Sequence, residues 1–167
     1  MRKNTRYIVH CALIAALYVI LTHLQNLVFP NSASMAIQFR ASEALCVLAL
    51  FTSSAIPGLT LGTLLFNITY SALPLDFLLG SLATLLASFC MYKCRHITIK
   101  GYPLFALLMP ALWNGLIIGW ELAFVIGGGF FFNAVTVAIG EAVVLLSLGS
   151  TLYYGLRSRG LDKKLFG

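Results

Sequence analysis

The chain has 167 residues, of which 60% are hydrophobic and only 10% charged, and its mean hydropathy is +0.93. A soluble domain of this length needs far more charge to cover its surface, so composition alone places the chain among integral membrane proteins. The net charge of +6 then marks cytoplasmic loops; basic and aromatic residues are not interleaved on a polar strand, which excludes nucleic acid as a partner.

Arg2, Lys3 and Arg6 open the chain ahead of an apolar run. That run is too long for a signal-peptide core and no small-x-small cleavage site follows it, so it is expected to remain as a first span over 7–24. Ala12 and Ala16 lie one turn apart there, a spacing that admits the close approach of another helix, either a partner's or a neighbour's in the same bundle. Residues 23–34 are polar and include Pro30, which predicts a loop of the length that often serves as a lid.

Further spans are expected over 35–52, 57–70, 75–92, 102–126 and 130–154. Ser53, Ser54, Pro57 and Gly58 break the second from the third, 71–74 forms a turn, and Gly127 to Gly129 a tight turn. Pro110 is expected to kink the fifth span. The stretch 45–66 is apolar enough to be one span, giving five crossings instead of six. Loop charge decides between them: six crossings put the basic N-terminus, the basic loop 93–100 and the basic tail on one side, as the positive-inside rule demands. The reading is therefore a single membrane domain, an all-α six-transmembrane-helix bundle with both termini cytoplasmic.

Of the eleven Lys and Arg, all except Arg40 fall in short clusters assigned to the cytoplasmic side. Arg40 and Glu43 stand one helical step apart at the mouth of an apolar segment, where charge is expensive unless it faces protein or a water-filled cavity. Among the five acids, Glu43, Asp76, Glu121 and Glu141 are all predicted in the outer half, each on a different span. Asn114 lies two turns before Glu121 on the same face; Asn133 and Glu141 are about 80° apart on a helical wheel. Asn67 lies with Thr60 and Thr63 down one face of the third span. Trp113, Trp120, Phe39 and Tyr70 could supply aromatic walls. Each polar residue could instead be structural, with Arg40 pairing Glu43 or Asp76. Taken together the acids outnumber the one outer cation, and a donor-rich or cationic small ligand would redress the balance.

His10, His23 and His96 read as interfacial residues. Cys11, Cys46, Cys90 and Cys94 lie in or beside apolar runs with no His or carboxylate at ligand spacing; they read as small buried hydrophobes, with no metal or cofactor implied. No phosphate-cradling glycine loop is present, and no nucleophile–base pair suggests catalysis. The chain is about half the length of a repeat-built secondary transporter. A small bundle with an outward pocket and no motor reads as a binding subunit that borrows one.

Three strings carry a resemblance: Gln38-Phe-Arg-Ala-Ser-Glu-Ala-Leu45, Ala55-Ile-Pro-Gly-Leu59 and Gly80-Ser-Leu-Ala-Thr-Leu-Leu-Ala87. With Asn114 through Glu121 and Asn133 through Glu141, they resemble the queuosine-precursor transporter (QueT) family. The resemblance runs from the first span to the sixth. It implies the substrate-binding S-component of an energy-coupling factor (ECF) transporter in a bacterial plasma membrane. It further implies docking onto a transmembrane coupling subunit of EcfT type that carries two ATPases. The implied ligand is 7-aminomethyl-7-deazaguanine or a relative, queuine included.

On that basis Glu121 and Asn114 are expected to meet the ring, and Glu43 or Glu141 the cationic arm, with Arg40 orienting a carboxylate. Asn67, Asp76, Trp113, Asn133 and the rest of the polar set complete the expected substrate site, and Ala12 and Ala16 become the expected docking face. The rival readings are an S-component for another vitamin and a non-transport membrane protein.

Overall fold

The computed structural model describes residues 3–29, 39–70 and 75–166, and all of its extended elements are helices. In chain order they are α1 (Lys3–Val28), a 3-10 helix (Ala41–Leu50), α2 (Ala55–Tyr70), α3 (Asp76–Cys94), α4 (Leu104–Leu107), α5 (Met109–Val125), α6 (Phe130–Val144), a π-helical turn (Leu145–Gly149), α7 (Ser150–Ser158) and α8 (Leu161–Phe166). Among the described residues, four helical runs are long and apolar enough to cross a membrane: Lys3–Val28, Asp76–Cys94, Leu104–Val125 and Phe130–Ser158. Ala41–Leu50 and Ala55–Tyr70 are apolar but shorter.

The expected spans are adjusted in four places. The first helix does not stop at 24 but continues to Val28, so the loop expected from His23 begins later. Thr22 and Asn26 face inward there, and no helix breaker occurs before Pro30. Residues 30–38, which include the remainder of that loop and the start of the expected second span, lie outside the described residues, as does the turn 71–74.

The described part of the second span is a 3-10 helix of 10 residues. At about 2.0 Å rise per residue it covers some 20 Å, further than the same residues would reach as an α-helix. The turn over 51–54 separates it from α2, so 45–66 is two elements.

The expected fifth span breaks at Leu108, and Pro110 lies in the first turn of α5. A proline there removes no intrahelical bond, so it begins a helix instead of bending one. The sixth runs on through a π-helical turn to Ser158, and the basic tail folds into α8.

Nine consecutive residues of the 3-10 helix, Ser42 to Leu50, are buried. A helix covered on every side is the centre of its bundle, and α1, α2, α3, α6 and α7 all pack around this one. Its second half, Leu45 to Leu50, joins Ile14, Leu59, Met91, Leu107, Leu145 and Tyr153 in the apolar core. Leucine, isoleucine and phenylalanine cover the outside instead: Ile8, Leu13, Leu65, Phe89, Phe124, Phe131 and Ile139 are exposed. An outer surface this apolar fits lipid and not water.

Close helix contacts are made by glycine. A Cβ at Gly58 or Gly62 of α2 would fall 2.9 Å from the Cys11 carbonyl oxygen or 2.8 Å from the Tyr18 Cβ of α1. At Gly119 of α5 it would fall 2.5 Å from the Ala134 Cα of α6. These contacts set the spacing of the helices that carry the polar residues.

Candidate functional site

The first half of the 3-10 helix leads from the apolar core into a buried polar cluster. Arg40 precedes the helix in extended conformation, and its carbonyl accepts the Glu43 backbone N–H at 3.0 Å. Three residues per turn stack positions three apart, so Glu43 and Cys46 lie one above the other. Cys46 Sγ donates to Glu43 Oε2 at 3.1 Å, and the Tyr18 hydroxyl donates to Oε1 at 2.5 Å. Both oxygens of Glu43 are thereby engaged.

Helix α1 fixes this segment from the side. Thr22 Oγ1 donates to Ser42 Oγ at 2.7 Å. The Ala41 backbone N–H donates to Gln25 Oε1 at 2.6 Å, while Gln25 Nε2 donates to the Phe39 carbonyl. One amide side chain thus holds the chain on both sides of Arg40, much as a neighbouring strand would.

Helices α2 and α3 meet through Asn67, whose Nδ2 donates to the Asp76 carbonyl at 2.9 Å. Gly80 makes room for that amide; a Cβ there would lie 2.5 Å from Asn67 Nδ2. Arg40, Glu43, Asn67, Asp76, Asn114, Glu121, Asn133 and Glu141 are all buried. Arg40 lies within electrostatic range of Tyr18, Glu43, Asp76 and Glu141, and Glu121 within range of Asp76 and Arg40. Asn114 faces Glu141 across the α5–α6 contact. Four carboxylates from the 3-10 helix, α3, α5 and α6 therefore surround one guanidinium. The fold brings these residues together although 101 positions separate Arg40 from Glu141 in sequence.

Glu121 and Glu141 differ from Glu43. All four of their carboxylate oxygens are buried and have no hydrogen-bond partner among the described residues. Asn67 Oδ1, Trp113 Nε1 and both polar atoms of Asn26 are in the same condition. Buried polar groups without partners are costly, and in natural proteins they concentrate where a guest or ordered water completes them.

Several expected residues take other positions. Asn133 Nδ2 donates to the Gly127 carbonyl at 3.2 Å and ties down the glycine turn, which gives it a structural task. Trp120 is exposed and stacks on Phe124 with ring centroids 5.6 Å apart; it faces outward and walls nothing. Phe39 and Tyr70 are also exposed, whereas Trp113 is half-buried. Ala12 and Ala16 lie on the exposed face of α1, opposite the buried stripe of Ile14, Ala15, Tyr18, Thr22 and Asn26.

Tyr18, Gln25 and Asn26 were not among the expected site residues. The signal for Tyr18 and Asn26 is present in the sequence: with Thr22 they follow Ile14 at steps of four, a polar line along one face of an otherwise apolar helix. Among the described residues no three His, Cys, Asp or Glu side chains gather into a metal-holding group.

Apolar helices around a buried group of charges and amides define a class, that of helical membrane proteins with an internal polar cluster. The family model of the QueT transporter matches residues 8–158, and the chain belongs to that family. It is a transporter rather than an enzyme, and its substrate is a small molecule. Neither curated proteins nor solved structures give a match to the chain.

Proposed function

We propose that the chain is the substrate-binding subunit of an ECF-type importer in a bacterial plasma membrane, and that it captures a 7-deazaguanine precursor of queuosine from outside. Family membership supports the transport role. The observation that carries the substrate class is the pair of buried carboxylates, Glu121 and Glu141, whose oxygens have no hydrogen-bond partner among the described residues. A carboxylate accepts two parallel hydrogen bonds from adjacent donors, which is what a guanine-like ring N–H and 2-amino group present. An ammonium arm suits the other carboxylate.

Glu43 is already held by Tyr18 and Cys46, so the arm falls to Glu141 and the ring to Glu121. Asn114, beside Glu141, serves the carbonyl edge, and Trp113 supplies a ring face with an indole N–H still to satisfy. Arg40 balances the remaining carboxylates. The basic end of the bundle faces the cytoplasm in a six-crossing arrangement. A coupling subunit and two ATPases provide the motor, and the exposed Ala12–Ala16 face of α1 is where the coupling subunit docks.

The test is a titration of the purified protein with 7-aminomethyl-7-deazaguanine, its nitrile and queuine, beside riboflavin, biotin and thiamine. The reading expects a response to the deazaguanines that Glu121→Gln and Glu141→Gln weaken at least tenfold. That factor corresponds to about 1.5–3 kcal/mol for a hydrogen bond to a charged group. A response to one of the other vitamins would transfer the site to that substrate.

A further inference from the structure

At the end of the bundle remote from the acids, a hollow of ≈ 470 Å³ opens beside the 3-10 helix. Arg95, His96, Arg157 and Lys163 line it, and Asp162 is the one carboxylate among its described lining residues. The three cations, Arg95, Arg157 and Lys163, come from three separate places: the residues just beyond α3, the last turn of α7, and α8. Their convergence is a product of the fold and not of one basic run.

Two of the guanidiniums are held in place. Arg95 Nη1 donates to the Tyr92 carbonyl at 2.6 Å, and its guanidinium sits 3.9 Å above the Tyr92 ring. Arg157 Nη1 donates to the Tyr153 hydroxyl. A guanidinium has five N–H donors, so most remain for a ligand, and their forked arrangement matches the oxygens of a phosphate. Phe51 and Tyr153, which stack with centroids 5.6 Å apart, form an aromatic part of the wall. Cations gathered around one carboxylate repel one another unless an anion joins them.

We propose that this hollow is a binding site for a phosphate group. Two sources share that chemistry, the headgroup of an anionic phospholipid and a free phosphate. The lipid source follows from position: the hollow adjoins the ends of helices that are long and apolar enough to cross a membrane, the depth at which headgroup phosphates lie. A bound phosphate would link the 3-10 helix, α3 and the C-terminal α7–α8 unit.

The experiment uses the full chain and has two arms. In the first, protein in nanodiscs of phosphatidylcholine with a small fraction of phosphatidylglycerol is released into native mass spectrometry, and retained lipid is counted. In the second, delipidated protein in a neutral detergent is melted with inorganic phosphate or with chloride at matched ionic strength. Selective retention of phosphatidylglycerol, or selective stabilisation by phosphate, supports the site and identifies the source.

Arg95→Gln and Arg157→Gln should each reduce the selective signal about fivefold, the effect of one cation near an anionic headgroup. Lys163→Gln, at an exposed position, provides the same test should either arginine variant unfold. Lys93 is exposed and does not line the hollow, so Lys93→Gln should leave the signal unchanged. Equal loss in Lys93→Gln, or no preference for either phosphate ligand, would overturn the proposal.

Discussion

Tyr18 donates its hydroxyl proton to Glu43 at 2.5 Å, joining α1 to the central 3-10 helix inside the bundle. Tyr18 is fully buried and Glu43 nearly so, which means the carboxylate has exchanged water for a phenol and a thiol. Removing the phenol leaves one oxygen of a buried carboxylate unsatisfied. Tyr18→Phe should therefore lower stability by about 1–3 kcal/mol, measured as loss of melting temperature in detergent. Glu43→Gln combined with Tyr18→Phe should cost less than the sum of the two single changes, because both remove the same contact.

Glu121 and Glu141 lead to the opposite expectation for the empty protein. Their oxygens have no partner among the described residues, so replacing either with Gln removes a desolvated charge at little loss of contact. The empty Glu121→Gln and Glu141→Gln proteins should melt higher than the parent while binding ligand more weakly. Stability given up at a site is a common accompaniment of function. A lower melting temperature in both variants would mean that these carboxylates hold the bundle together.

The α5–α6 contact places those two acids, and Gly119 is its tightest point. An added Cβ would meet the Ala134 backbone at 2.5 Å, and backbone cannot rotate away. Gly119→Ala should cost about 1–3 kcal/mol, as overpacking does, and should weaken ligand binding by shifting Glu121 against Glu141. Gly155→Ala is the control. Nothing lies within 4 Å of its added Cβ and no left-handed φ is required there, so thermal unfolding should show an unchanged or slightly raised midpoint.

The proposed docking through α1 predicts variants that bind ligand but do not transport it. Ala12 and Ala16 are exposed, on the face away from Tyr18, so larger side chains there meet nothing in the bundle. Ala12→Trp and Ala16→Leu should bind ligand with the parent's affinity but fail in a cellular uptake assay with the coupling subunit and ATPases present. Parent-level uptake in both variants would move the docking surface elsewhere.

Much of this protein follows from local properties of its sequence. Hydropathy alone marks the helices of α1, α3, α5 and α6, because burial in lipid depends on a run of residues and not on their neighbours in space. Charge position separates Arg40 and the four buried acids from the basic clusters for the same reason. The string from Gln38 to Leu45 points to the family, and the match over 8–158 bears that out.

Tertiary structure decided the rest. Whether a carboxylate is structural or open to a guest depends on what another helix presents to it: Tyr18 donates a hydrogen bond to Glu43, whereas Glu121 and Glu141 have charged or amide neighbours but make no hydrogen bond among the described residues. Helical spacing could not reveal that Trp120 turns outward, that Asn133 closes the glycine turn, or that Asn26 is buried at the end of a longer α1. It also could not supply the 3-10 form of Ala41–Leu50, since that conformation is imposed by the helices packed on every side and not by the propensity of its residues. Partnering is a relation between elements, and only the assembled bundle contains it.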